Sequence, residues 1–183
     1  MPPCARMGKA MRRRLAVMTI VGIAGLLPVR AQETWTEYRA AEQGFVISFP
    51  GAPKLATTAL AGKTPLTHHV YKSMAAQRAY EVSVLEFAGG VNGQKWDTAC
   101  FGRLIAAYAK GSGSSLLSQN PVTIGGRSGL EAVTEDPKHD RYHLIDVLAA
   151  GTRVYLLISV GPKGHEASID AKRFRDSFSL IAP

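Results

Sequence analysis

Five histidines, a Gly-Pro-Lys-Gly-His run and a scatter of serines and carboxylates are the residues here whose chemistry needs testing first. The run Gly161-Pro162-Lys163-Gly164-His165 follows an apolar stretch and precedes a helical one, which is the order of a phosphate-binding loop. Such a loop needs G-x-x-x-x-G-K-[S/T], so that backbone amides wrap the phosphates while Lys and a hydroxyl reach the terminal phosphate and metal. Gly161 and Gly164 are too close together, Lys163 lies inside the loop, and His165 follows the second glycine. The dinucleotide pattern G-x-G-x-x-G is absent as well. The run therefore reads as a turn from a strand into its covering helix. The phosphate-like feature that remains is the helix start itself, where free amides point outward with Lys163 nearby.

The histidines give no ligand set. His68 and His69 are adjacent in a predicted strand and point to opposite faces. His139 and His143 have helical ligand spacing, but along a strand they stand about 13 Å apart. No H-E-x-x-H, Cys-x-x-Cys or Asp-rich calcium loop occurs. The nucleophile elbow G-x-S-x-G is missing too: Gly126-Arg127-Ser128-Gly129 has Ser and Gly adjacent, and Gly111-Ser112-Gly113-Ser114-Ser115 lacks the closing glycine. Glu135-Asp136 falls at a turn before Pro137 and reads as a solvated pair. Cys100 reads as a small buried hydrophobe, since nothing local supplies the basic or helix-N-terminal setting of a reactive thiol. Trp35 and Tyr38 read as packing residues rather than a ligand groove. No catalytic, cofactor-binding or metal-binding residue is assigned.

The elements that position these residues are short strands with turn punctuation. Phe45, Ile47 and Phe49 alternate and stop at Pro50-Gly51. Strands are predicted at 55–60, 67–72 and 79–87. From Gln94 to Lys110 the period changes, with Trp96, Cys100, Leu104, Ala107 and Tyr108 on one helical stripe. Four strands follow at 116–124, 127–135, 141–148 and 153–160, joined closely enough for antiparallel hairpins. The last has Val154, Leu156, Ile158 and Val160 on one face and Tyr155 and Leu157 on the other, so it belongs at a sheet centre. A closing helix starts at the N-cap Ser168, with Asp170 in its first turn and Ala171, Phe174 and Phe178 as its packing stripe. The expected fold class is α+β, an antiparallel β-sheet covered by helices.

Arg12, Arg13 and Arg14, the uncharged stretch Leu15 to Leu27, and Val29-Arg30-Ala31 have the order of a secretory signal peptide. The stretch is short of the roughly 20 residues of a membrane span. Residues 1–31 are thus an expected cleaved leader and 32–183 a single domain of 152 residues, within the usual domain range. Translation from Met7 or Met11 would serve equally. The arginine run resembles a twin-arginine signal but lacks the preceding Ser or Thr, which favours the general secretory route. Of 22 basic and 14 acidic residues, six basic ones (Arg6, Lys9, Arg12, Arg13, Arg14, Arg30) and no acidic one lie before residue 32, so the remainder is +2. That near balance, with no aromatic-interleaved basic cluster, argues against nucleic acid. Only Cys100 remains after cleavage, so neither an internal disulfide nor a lipoprotein anchor is expected.

The stretches GFVISFPGAPK and YLLISVGPKGHEASIDAKRFRDSFSL resemble a group of exported bacterial proteins of unknown function. Those are in turn similar to the PsbP-like fold, named for an extrinsic subunit of photosystem II. The resemblance spans about Trp35 to Leu180 and rests on structural motifs. It implies an α/β/α sandwich and an accessory or assembly role, and it carries over no catalytic residue. The function expected is that of an exported, non-enzymatic envelope protein, periplasmic or secreted, that binds a partner protein or a small ligand. It needs no cofactor and has no membrane span after cleavage. The competing reading is a small periplasmic hydrolase or metal-dependent enzyme whose site no motif reveals. A compact cleft with perturbed His or carboxylate groups would favour the enzyme, and an exposed apolar patch the binder.

Overall fold

The computed structural model describes residues 34–61, 65–88 and 96–181. The expected leader, 1–31, lies outside the described residues. Two antiparallel sheets carry the fold. The smaller joins β1 (Trp35–Ala40), β2 (Phe45–Pro50) and β10 (Ser179–Leu180) in the order β1-β2-β10. The larger is a seven-stranded sheet of β3 (Lys54–Leu60), β4 (Leu66–Ala75), β5 (Arg78–Phe87), β6 (Ser115–Ile124), β7 (Arg127–Asp136), β8 (Arg141–Ala150) and β9 (Arg153–Gly161). Its order is β3-β4-β5-β9-β8-β7-β6, and every pairing is antiparallel.

Alternation divides the apolar residues between the two faces of this large sheet. One face meets the small sheet and α2 (Ile169–Asp176): Tyr71, Tyr80, Val82, Leu148, Tyr155 and Leu157 pack against Phe45, Ile47, Phe49, Phe174 and Phe178. Phe45 is fully buried, its ring 5.2 Å from Tyr71 and 6.0 Å from Phe178. The opposite face meets α1 (Thr98–Ser112), where Phe101 and Ile105 lie on Leu130, Ile145, Val147, Leu156 and Ile158. β9 contributes to both clusters and holds the fourth position of the seven strands.

The expected α/β/α sandwich, a sheet covered by helices, is therefore corrected. Ten strands stand against two α-helices among the described residues, and the fold is β-rich. The alternation of Phe45, Ile47 and Phe49 shows that one side of β2 is buried but not which sheet it joins. β2 pairs with β1 and β10 in a sheet of its own, which lies over the large sheet where a helical layer was expected. β1 was not anticipated as a strand. Its Trp35 ring meets Tyr80 edge-on at 5.1 Å, and Tyr38 lies against Phe49 and Tyr71.

The first helix starts later than the expected 94. Asp97 caps it, accepting from the Cys100 backbone N–H at 2.9 Å, and Trp96 precedes it, stacked on Phe101. The buried stripe is accordingly Phe101, Ile105 and Ala109 with Cys100, rotated from the predicted one. Ser168 caps α2 by accepting from Ala171 N–H at 3.2 Å. Phe178 lies just past that helix but inside the same cluster.

Candidate functional site

The Gly161–Ser168 segment forms a structural lock. His165 folds back over Gly161 so closely that a Cβ there would overlap the imidazole ring. Ser168 Oγ, which accepts from Ala171 N–H, lies 3.2 Å from His165 Nδ1, and His165 Nε2 lies 2.6 Å from Ser159 Oγ on the strand just left. Burial, and secondarily Arg78, hold the His165 pKa below its ordinary value. One neutral imidazole thus ties the end of β9 to the N-cap of α2. Lys163 is an exposed turn residue in this segment.

The other histidines are dispersed. His68 Nε2 lies 2.5 Å from Ser83 Oγ, His69 faces Thr57 and Glu86, and His143 Nδ1 lies 2.8 Å from the Tyr108 hydroxyl. His139 lies 2.5 Å from Asp136. No group of three His, Cys, Asp or Glu among the described residues has metal-binding geometry. Glu135 and Asp136 depart from the solvated pair expected. Asp136 is buried and accepts from the Lys138 and His139 amides, closing the β7–β8 turn, while Glu135 accepts from Tyr142 at 2.6 Å. Ser128 is an exposed strand residue and Ser112 a helix-end hydroxyl bonded to Ala109 O and near Ser114. Cys100 is buried, yet it lies in the first turn of α1 with Arg103 Nη2 2.9 Å from its sulfur. The sequence reading missed that setting because it began the helix at Gln94.

Two Ser–His pairs, Ser83–His68 and Ser159–His165, thus have nucleophile-like distances. Neither lines either of the two clefts described below, and Ser83, Ser159 and His165 are buried. Asp146 is the most perturbed carboxylate. It is 1% exposed beneath α2, its Oδ1 has no hydrogen-bond partner among the described residues, and burial pushes its pKa up to about 7. Arg175 opposes that rise, while Glu131 and Asp176 add to it. Glu131 is its cross-strand neighbour and itself pairs with Arg175 at 2.6 Å. Asp146 alone of this group is buried; Glu131 and Arg175 are half-buried and Asp176 is exposed.

The open surface is elsewhere. A cleft of about 580 Å³ lies between the Pro50–Ala52 turn and the β3–β4 hairpin, lined by Pro50, Gly51, Leu55, Val70, Ser73 and Met74, with Lys54 and Lys72 also at its wall. Lys72 reaches Glu81 at 3.6 Å. Leu55 is 52% exposed, Leu60 45% and Met74 64%. Every residue of β3 is exposed, and among the described residues β3 is an outer strand that pairs only with β4. Among those residues its outward N–H and C=O groups have no ladder to join. A second cleft, about 500 Å³, has Arg127 and Arg153 in its wall, but Arg153 is gripped by Glu86 at 2.7 and 3.0 Å. The first cleft assembles from two separate stretches, 50–56 and 70–74, so no local motif pointed to it.

The chain matches no protein-family model and no curated protein. Solved structures do match. The solution structure of cyanobacterial PsbP (CyanoP) from Synechocystis sp. PCC 6803 superposes with a TM-score of 0.55, over 87% of this chain and 100% of that one. The fold is PsbP-like. At 11% identity the likeness concerns the backbone arrangement and transfers no residue role. Among the described residues no helix is long and apolar enough to cross a membrane.

Proposed function

We propose that this protein is an exported, non-enzymatic accessory module that acts by docking another polypeptide in the cell envelope. The observation that carries the reading is the open β3 edge beside an apolar cleft, with Leu55 and Met74 more than half exposed. An extended segment added to such an edge gains main-chain hydrogen bonds, while alternate side chains find pockets that confer specificity. The PsbP-like fold and the leader-like residues 1–31 support the accessory and exported parts of the reading. The perturbed groups that an enzyme would display are enclosed beneath α2 and within the sheet rather than in a cleft.

A photo-crosslinking amino acid placed at Leu55 or Met74 in living cells tests this. Adducts with a polypeptide are expected at both positions and not at Ile169, an 85% exposed residue on α2 remote in sequence from the edge. Equal labelling at Ile169, or no adduct at Leu55 and Met74, refutes the reading.

A further inference from the structure

The two outer strands of the large sheet are treated differently. β6 carries Pro121, which has no N–H to offer, and a register irregularity between Leu116 and Ser118. Both features blunt an edge against pairing. β3, Lys-Leu-Ala-Thr-Thr-Ala-Leu, has neither proline nor irregularity and pairs with β4 in unbroken register over all seven residues. It also has one charge, Lys54, at its end. An edge this regular, with one charge at its end, is a ready template for pairing with another strand.

We propose that the β3 edge is covered by the β3 edge of a second copy of this chain, giving a two-fold dimer with one continuous antiparallel sheet. The proposal rests on the reading of this edge as the docking surface and names its occupant. Antiparallel pairing of identical strands uses a two-fold axis perpendicular to the sheet, so facing residues must lie on the same face and differ by an even number. The register that pairs the whole strand has Thr57 opposite Thr57 of the second copy. Leu55 then meets Ala59, Ala56 meets Thr58, and Lys54 meets Leu60. Apart from Lys54 opposite Leu60, each contact joins small or apolar partners, with a Thr–Thr pair at the centre. The two Lys54 charges end at opposite extremes, about 20 Å apart, so no like charges meet. Leu60, 45% exposed in the monomer, lies over the apolar stem of the facing Lys54. Seven paired residues on each side bury less than the roughly 1,200–2,000 Å² of a stable interface. The dimer is therefore a reversible, concentration-dependent one.

The test uses the full chain as recovered from cells. Sedimentation over a concentration series is expected to show a shift from monomer to dimer. Thr57→Lys, an exposed position whose fold is checked by circular dichroism, sets two charges face to face and weakens dimerisation by about two- to fivefold. Register is read with Thr57→Cys and Leu60→Cys, each oxidised by Cu(II)-phenanthroline. In the Thr57→Cys variant the new thiol faces its own copy across the two-fold axis and gives a disulfide dimer. In the Leu60→Cys variant the two new thiols stand about 20 Å apart and give none. A monomer at every concentration up to about 1 mM, or equal crosslinking of both cysteine variants, overturns the proposal. If the chain stays monomeric while Leu55 crosslinks a different polypeptide in cells, the self-pairing falls and the docking reading stands. Absence of both brings down both.

Discussion

Replacing Asp146 by Asn removes a charge that the fold encloses at 1% exposure with Oδ1 unpartnered, so its effect must depend on pH. The carboxyl titrates at about 7 in the folded protein against a reference of 3.8. A raised folded pKa means that the group's contribution is fully present below the unfolded pKa and is lost as pH rises through the folded one. At about 1.36 kcal/mol per unit, enclosing the carboxylate costs about 4 kcal/mol at pH 8 and about 2 at pH 5. Urea unfolding of wild type and Asp146→Asn from pH 5 to 8 is the assay. The variant is expected to gain about 2 to 3 kcal/mol relative to wild type across that interval. His68, His143 and His165, whose pKa values burial lowers, cost stability as pH falls below about 6.5, but they are common to both proteins and cancel in the difference. The Asn amide's own packing adds an offset that does not vary with pH. A wild-type-to-variant difference that is flat between pH 5 and 8 refutes the enclosed, charge-averse carboxyl.

Two further substitutions probe the packing. Gly161→Ala drives a Cβ into the His165 ring, so it is expected to destabilise by about 1–3 kcal/mol, with partial recovery in the double variant Gly161→Ala/His165→Ala. Calorimetric melting of the single and double variants checks this, and additive losses would deny the contact. Phe45→Ala empties a site ringed by Tyr71, Tyr155 and Phe178 and is expected to cost about 3–5 kcal/mol in denaturant unfolding.

Strand positions were legible where alternation was strong. The two-faced apolar pattern of residues 154–160 marks the strand that stands centrally in the seven, and Ser168 is the N-cap that its type and place imply. What failed was partnership. Periodicity reports which side of an element is buried, and the cover over Phe45, Ile47 and Phe49 is decided by pairing with residues 179–180, far along the chain. The helix stripe was phased from Trp96, a residue that packs against Phe101 from outside the helix, so Phe101, Ile105 and Ala109 were missed, while Cys100 is buried and Leu104 and Tyr108 pack at the edge of the cluster. Asp146 had a signal that was passed over: a charge inside Tyr142–Ala150, where its neighbours at two-residue spacing are Leu144 and Leu148. The cleft had none, because Pro50, Leu55 and Met74 become neighbours only once β3 pairs with β4.

The closure of the small sheet sets an order on biosynthesis. Ser48 N–H donates to Ser177 Oγ at 3.0 Å across 129 positions, and Val46 and Phe45 pair with Ser179 and Leu180. While a ribosome is still adding those residues, β2 lacks one of its two neighbours and the aromatic cluster lacks Phe174 and Phe178. Loop closure over so long a span is slow and is rewarded only at its end. The nascent chain therefore cannot complete its small sheet or its aromatic cluster until residues 174–180 have emerged, so the two ends of the described fold are committed together and last.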